Sequence, residues 1–330
     1  MIKFLKTIYR SVVRWLFIAA IVKFYIVLKY KRLNQLHGKK KHANTPWVCE
    51  FQFNVDRWVD YINEVYTDYF ENSDLNLETI KGKRILEVGP GENLGVALKL
   101  LSAGASQVVC VDRFHSLIEE NKQLEIYKEI YSQMSKMEQD KFQTAIRITD
   151  DGFNFNKDRL IYLNKSIEEL NSIYPEPCFD IIISRAVLEH VFSIDSAMET
   201  MDTLLKKGGY MLHEVDFQDH GIFTGYGLHP LTFLTIKNKT WLKMTSNIGA
   251  PNRMLPGYYR SFFEAHDYTF KTKIVRVFGS SKKVSLNKLP KSEYNDKYLN
   301  SLTNQIMNKS TFTCRDDLRV AAAFFCARKS

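Results

Sequence analysis

The stretch RILEVGPGENLG carries residue types that let a nucleotide approach the backbone. These residues are Gly89 and Gly91. Glycine has no Cβ and tolerates positive φ angles, so Gly89 and Gly91 leave room for a ligand against the main chain. We expect the helix that opens near Asn93 and Leu94 to offer free N–H groups to an anionic part of that ligand. The spacing predicts a nucleotide site without specifying the nucleotide.

A second group of polar residues lies in LHEVDFQDHGIF. It contains His213, Glu214, Asp216, Asp219 and His220. A histidine beside a carboxylate can act as a general base on a hydroxyl group, so we expect catalytic groups at Asp216, Asp219 and His220. His190, in the earlier stretch AVLEHV, is a fourth candidate. The alternative for LHEVDFQDHGIF is a solvated loop without a catalytic role. The alternative for Glu189 and His190 is that they only shape the loop after their strand.

Strands and helices alternate from Lys81 onward. The fold that this order produces must position the residues of RILEVGPGENLG and of LHEVDFQDHGIF. The strand segments are RILEVG, QVVCVD, LIYLN, FDIIIS and YMLHEVDF, followed by the late TFKTKIVRVF and LRVAAAFFCARK. Between them, IDSAMETMDTLLKKGG reads as a helix ending before its glycines, and SLIEENKQLEIYKEIYSQMSKMEQDKF as a long polar helix or a pair. Such alternation predicts a mostly parallel α/β sheet with helices on both faces. Reactive side chains are then expected at the carboxyl ends of the strands.

Four of these segments, in order, resemble the motifs of class I S-adenosylmethionine-dependent methyltransferases. ILEVGPGENLG resembles the first motif, VVCVDRF the second, FDIIISRAVLEHV the fourth-strand segment and LLKKGGYMLHEV the helix and fifth strand. The late strands resemble the antiparallel pair that closes this Rossmann-like fold. The resemblance implies S-adenosylmethionine as cofactor, with Asp112 on the ribose hydroxyls. The cofactor-binding residues it implies are Glu87, Gly89, Gly91, Asn93, Leu94, Asp112, Arg113, Ser166, Ile167 and Ser184.

Parts of the chain depart from the patterns of known families. The adenine is usually met by an Asp followed by an Ala, and Ser166 and Ile167 stand in those places. In some relatives an ExxEH sequence binds a divalent metal, but Ala186 replaces its first Glu, so no metal is expected. Gly95 is displaced from the G-x-G-x-x-G spacing of dinucleotide-binding dehydrogenases, which disfavours that alternative.

The N-terminal segment carries the basic excess of the chain. The first 41 residues hold eleven of the 46 lysines and arginines and no acidic residue, and 37 acidic residues balance the other 35. The near-neutral main domain therefore gives no indication of nucleic-acid binding. The run WLFIAAIVKFYIVL is apolar apart from Lys23, which interrupts a transmembrane span. A helix on an anionic membrane surface fits better, with packing on its own domain and a true span as alternatives.

Two further features bear on the cellular setting. LNQLHGKKKHANTPW looks like a linker after the basic helix. Five scattered cysteines, without a CxxC pair, indicate a reducing compartment and neither a disulfide framework nor a zinc site.

These patterns predict four regions. They are a basic apolar N-terminal helix and linker (1–45), a helical lead-in (46–80), an S-adenosylmethionine-binding core (81–217) and a substrate cap with the last strands of the sheet (218–330). The predicted function is O-methylation of a sugar in a cell-surface glycan or lipid-linked intermediate. A small-metabolite acceptor, such as a quinone or polyketide precursor, and a catalytically silent binding module are the alternatives. The protein is expected in the cytoplasm, peripheral on the inner membrane surface through residues 1–32.

Overall fold

A seven-stranded sheet organises the part of the chain that the structure describes. This computed structural model describes residues 2–39, with side chains for 18–36 only, and residues 54–278, 284–287, 303–306 and 314–330. The strands are β1 (Arg84–Val88), β2 (Gln107–Val111), β3 (Ile146–Ile148), β4 (Phe153–Phe155), β5 (Leu160–Leu163), β6 (Phe179–Arg185), β7 (Leu205–Asp216), β8 (Tyr268–Val277) and β9 (Val320–Lys329). The helices are α1 (Ile2–Lys39), α2 (Val55–Glu71), α3 (Leu77–Ile80), α4 (Gly95–Ala103), α5 (Glu120–Ser132), α6 (Lys136–Ala145), α7 (Ile194–Leu204), α8 (Asn238–Thr245) and α9 (Pro256–Ala265).

The strand order confirms the predicted fold class. The sheet runs β5-β2-β1-β6-β7-β9-β8; β5, β2, β1, β6 and β7 are parallel neighbours, and β9 pairs antiparallel with both β7 and β8. The central strands read as near-continuous apolar runs because helices cover both faces of the sheet. Two buried clusters, one on each face, form the core. The carboxyl ends of β1, β2, β6 and β7 meet at one edge, where a ligand site is expected.

Local signals in the sequence explain where several helices begin and end. Gly104 adopts φ 117° and ends α4 in a left-handed cap, which glycine tolerates without a steric penalty. Ser135 and Glu138 form a reciprocal capping box at the start of α6. The long polar segment is therefore a pair of helices, α5 and α6, which is one of the two predicted forms.

Three details differ from the sequence-based expectations. The short antiparallel pair β3–β4 was not predicted, because each strand has only three residues. Strand β7 begins at Leu205, so LLKKGG contributes mainly to a strand. The predicted linker begins too early, since α1 continues to Lys39; its remainder falls outside the described residues, as does most of the insertion between β8 and β9.

The C-terminal half of α1 packs against the segment between β7 and β8, residues 218–267, which we call the cap. Ile26 is fully buried there, and the Asn34 side chain donates to the carbonyl of Lys243 at 3.2 Å and accepts from the backbone N–H of Asn247 at 2.6 Å. Asn34 is itself 5% exposed. This part of α1 is therefore an integral layer of the cap. No helix in the described part of the chain is long and apolar enough to cross a membrane.

Candidate functional site

The three glycines in and after the turn that follows β1 have different surroundings. A Cβ on Gly89 would lie 2.4 Å from Cγ2 of Val187, so this position has to be glycine for the turns after β1 and β6 to meet. Gly91 has φ 77°, and a Cβ there would meet nothing within 4 Å, which leaves open space for a ligand against the backbone. Gly95 packs against Ile62 of α2 instead. Of these three glycines, only Gly91 faces open space, whereas Gly89 and Gly95 are packed against protein side chains.

The start of α4 differs from the expectation that it offers free N–H groups. The backbone N–H of Leu94 donates to the Tyr127 hydroxyl at 3.0 Å, and that of Gly95 donates to Oδ1 of Asn93 at 2.9 Å. Asn93 and Leu94 are both buried. The expectation was wrong for these two amides, because protein groups already satisfy them. Tyr127 comes from α5, and no local pattern near the turn indicated its contribution.

Glu87 occupies the interior of the sheet beside this turn. Its side chain is 5% exposed, and Oε2 accepts a hydrogen bond from the Cys110 thiol at 3.3 Å. Burial raises the pKa of Glu87 to about 7, against the weaker opposing effect of the thiol. A buried carboxyl of this kind can turn negative when a cation arrives nearby.

Asp112 follows β2 directly, at the same edge of the sheet as Gly91. Its Oδ1 accepts from the backbone N–H of Phe114 at 2.9 Å. Burial raises the pKa of Asp112 to about 6, so the group is mostly ionised at neutral pH. A charged carboxylate here can accept hydrogen bonds from a vicinal diol such as a ribose.

Arg113 and Phe192 reach toward each other from two neighbouring loops. The guanidinium carbon of Arg113 lies 4.7 Å from the ring centroid of Phe192, whose side chain is 48% exposed. Arg113 follows β2 and Phe192 follows β6, and β1 lies between these strands. The pair therefore bridges the crevice above β1. Sequence reasoning missed Phe192, although an aromatic residue just after AVLEHV was a usable signal.

The remaining predicted cofactor residues have varied surroundings. The Ser166 hydroxyl donates to Glu169 at 3.0 Å at the start of the 3-10 turn 167–172, and Ile167 is 5% exposed. Ser184 is fully buried, with its hydroxyl 2.8 Å from Nδ1 of His213. Ser184 therefore faces the interior at the end of β6, while Ser166 and Ile167 lie in a loop after β5.

The carboxylates after β7 are held by different partners. Asp216 forms an ion pair with Arg276 at 2.7 Å. Asp219 is fully buried; it accepts from the N–H groups of Gly221 and Thr224 and from the Thr224 hydroxyl, at 3.2, 2.9 and 2.6 Å. These bonds tie Asp219 to its own loop, so its catalytic role stays a prediction that this geometry does not favour.

Arg185, at the end of β6, links the predicted helical lead-in to the site. Its guanidinium pairs with Asp68 of α2 and, at 3.2 Å, with Glu214 of β7. The nearby carboxylates raise the pKa of Arg185 against the effect of burial, which lowers it. Sequence reasoning did not anticipate this link, because Asp68 lies on a helix far away in the chain.

Glu189, His190 and His220 come together beside these carboxylates. One potential metal-ligand atom from each lies within 4.8 Å of the other two, and the rings of His190 and His220 meet edge to face at a centroid distance of 4.7 Å. Burial lowers the pKa of both histidines, that of His190 to about 4, so both are neutral at pH 7. The structure thus joins two predicted catalytic residues. Asp216 and Asp219 lie near His220 but pair with Arg276 and with their own loop, respectively.

Asn252 fixes the turn that carries Glu189 and His190. Its backbone N–H donates to the carbonyl of Glu189 at 2.6 Å, and its side-chain amide donates to the carbonyl of Leu188 at 2.7 Å. Nδ1 of His190 lies 2.6 Å from the carbonyl oxygen of Gly249. The cap loop 249–252 therefore closes directly over the turn after β6.

Comparison with known proteins gives one family match and several general structural likenesses. The sequence model of a family described as "Methyltransferase domain" matches residues 61–269. No match is found among the curated proteins. A SAM-dependent methyltransferase from Archaeoglobus fulgidus is 12% identical, with a TM-score of 0.42 over 81% of this chain and 94% of that chain. A second SAM-dependent methyltransferase, from Mesorhizobium loti, is 13% identical, with a TM-score of 0.41 over 84% of this chain and 100% of that chain.

Proposed function

Since this chain belongs to the methyltransferase-domain family and is an enzyme that uses S-adenosylmethionine, we propose that its methyl acceptor is a sugar hydroxyl. The donor is proposed to lie across the crevice above β1. Gly91 offers open space there, Asp112 is a carboxylate suited to a ribose, and Arg113 with Phe192 bridges the crevice. Glu87, buried next to the turn, supplies negative charge near a cationic sulfonium.

One observation supports the proposed acceptor. His190, His220 and Glu189 lie close together in the loops that follow β6 and β7. Methyl transfer to oxygen forms a C–O bond while the C–S bond breaks and its electron pair stays on sulfur. The hydroxyl proton must leave the acceptor in this displacement. A cluster of neutral imidazoles beside carboxylates suits a hydroxyl group that has to give up a proton. This chemistry favours oxygen as the methyl acceptor.

The outward face of α1 supports an acceptor at a membrane surface. Its apolar side chains are 49–65% exposed: Ile18, Ile21, Phe24, Tyr25 and Leu28. Lys23 points the other way, into the cap, so it does not interrupt this face. Basic residues lie on both sides of it in the sequence, as in helices that rest on anionic lipid. We therefore place the enzyme peripherally on the inner membrane surface, with a glycan or lipid-linked intermediate as its acceptor.

Transfer of a radioactive methyl group tests the acceptor. The full chain is incubated with methyl-labelled S-adenosylmethionine and total membranes of the source organism, and the products are extracted into organic solvent and treated with mild acid. Label on a water-soluble sugar after acid treatment supports the proposal. Label that remains in the neutral-lipid fraction indicates a quinone-like acceptor instead. Binding of S-adenosylhomocysteine without any labelled product from membranes or metabolite extracts contradicts catalysis and indicates a silent binding module.

A further inference from the structure

No metal was expected from the sequence, because Ala186 stands where a first glutamate ligand would be. The structure brings a histidine of another loop to this place. Glu189 and His190 lie in the turn after β6 and His220 in the loop after β7, and their ligand atoms are within 4.8 Å of one another. We propose that Glu189, His190 and His220 bind a divalent transition-metal ion.

The surroundings of Glu189 carry this proposal furthest. Its side chain is 2% exposed, and neither carboxylate oxygen has a hydrogen bond of normal geometry among the described residues, although the backbone N–H groups of Glu189 and Asp216 lie close enough to favour its ionised form. A buried carboxylate without a partner is strongly destabilising. Asp216 and Glu214 add negative potential around it. A cation at this point would satisfy Glu189 and relieve the repulsion among the three carboxylates.

His190 is held as metal-ligating histidines usually are. The carbonyl oxygen of Gly249 can only accept a hydrogen bond, so the proton lies on Nδ1 of His190, 2.6 Å away. This tautomer leaves Nε2 with a free lone pair, and the carbonyl fixes the orientation of the ring.

The donor set identifies the class of metal. One carboxylate and two imidazoles suit Zn²⁺, Fe²⁺ or Mn²⁺ better than Mg²⁺, which prefers oxygen ligands. Tetrahedral ligands at about 2.1 Å from a metal lie about 3.4 Å apart, so binding would draw these three side chains together by bond rotations. Three protein ligands leave at least one coordination position open.

The use of that open position rests on the proposed O-methylation. An acceptor hydroxyl bound to the metal would lose its proton more readily, as water does on a catalytic zinc. The two histidines would then hold the metal, and they would not take the proton themselves. Metal binding does not depend on which acceptor the enzyme uses, so the binding test is independent of the proposed function.

Calorimetry on the full, tag-free chain tests the site. After treatment with a chelator, the protein is titrated with Zn²⁺, Mn²⁺ and Mg²⁺. We expect one transition-metal ion per chain and weaker binding of Mg²⁺. Glu189→Gln and His220→Asn should each weaken binding of the transition metal at least about tenfold, while the control His266→Asn, at the C-terminal end of α9, leaves it unchanged. Binding of S-adenosylhomocysteine by each variant shows that it is folded.

A second measurement needs no variant. X-ray absorption of the wild-type chain loaded with one Zn²⁺ should show the scattering of two imidazole rings. Spectra without imidazole scattering, or metal affinity unchanged by both Glu189→Gln and His220→Asn, would overturn the proposal. If metal binds here but sugar transfer fails, the metal site stands and the acceptor assignment falls.

Discussion

The Nζ atom of Lys23 lies 2.5 Å from the Oγ1 atom of Thr235, so the lysine inside the apolar run of α1 is turned toward the cap. Burial lowers the pKa of Lys23, as expected for an amine taken partly out of water. In the sequence this lysine interrupts a transmembrane span, which favoured a helix on the membrane surface instead. In the structure the opposite face of the helix is apolar and exposed.

The first prediction concerns that outward face. The double change Ile21→Glu with Leu28→Glu should abolish most binding to vesicles containing anionic lipid, because each substitution places a charge where the apolar face enters the bilayer boundary. Co-sedimentation with vesicles measures this. Met137→Glu is the matched control, since Met137 is 66% exposed on α6. Equal loss in the control, or no loss in the double variant, would remove α1 as the contact.

Asp112 gives a pH dependence to cofactor binding. Its pKa is about 6, and only the ionised form accepts both ribose hydrogen bonds, so affinity for S-adenosylhomocysteine should fall as pH drops through 6. Between pH 7 and pH 5 we expect a loss of about tenfold from this group. Calorimetry of the wild type and Asp112→Asn measures it, and the variant should bind more weakly at pH 7 and lose this part of the pH dependence. An identical pH profile in both proteins contradicts the assignment.

Glu87 should cost stability when it is ionised. Its folded-state pKa of about 7 lies above the ordinary 4.5, so the protein loses stability as pH rises through 7, and the effect is absent well below 4.5. Glu87→Gln should therefore stabilise the cofactor-free protein at pH 8, by at most about 3 kcal/mol, and hardly at all near pH 4.5. Urea unfolding of the wild type and the variant at the two pH values measures this difference in the free energy of unfolding. An equal difference at both pH values would refute the explanation.

Phe192 should contribute to holding the cofactor. Removing its ring in Phe192→Ala takes away the contact with Arg113, and cation–π contacts at exposed sites are worth about 0.5–1 kcal/mol. Affinity for S-adenosylhomocysteine should fall about two- to fivefold. Ile173→Ala, at a partly exposed apolar site after β5, serves as the control for nonspecific effects. Unchanged affinity in Phe192→Ala would show that the pair does not cover the ligand.

Asp219 should matter for stability more than for the chemical step. Asp219→Asn replaces an acceptor-only group with one that cannot accept all the N–H and O–H bonds of the loop, and hydrogen bonds to charged groups contribute about 1.5–3 kcal/mol. Thermal unfolding should shift down, while the turnover rate of the folded fraction changes less than about threefold. A catalytic base would instead cost a hundredfold or more, and such a loss would return Asp219 to the catalytic set.

The sequence predicted the sheet well because strand and helix patterns are local. Glu87 and Asp112 were predicted from the resemblance to methyltransferase motifs, and Gly89 and Gly91 from the glycine-rich turn after a strand. All four lie at or next to the carboxyl ends of β1 and β2. The capping of Leu94 by Tyr127 was not predictable in this way, since it depends on how α5 packs. The meeting of His190 with His220 likewise depends on the paths of two irregular loops, which carry no periodic pattern.

The hydrogen bonds between the loop 249–252 and the turn after β6 also have a thermodynamic consequence. Asn252 donates to three carbonyls at that turn, and the Gly249 carbonyl accepts from His190. Any molecule that shifts this loop on entering beneath the cap must therefore shift His190 as well. By linkage, a ligand under the cap and an ion at the turn must then alter each other's affinity by the same factor.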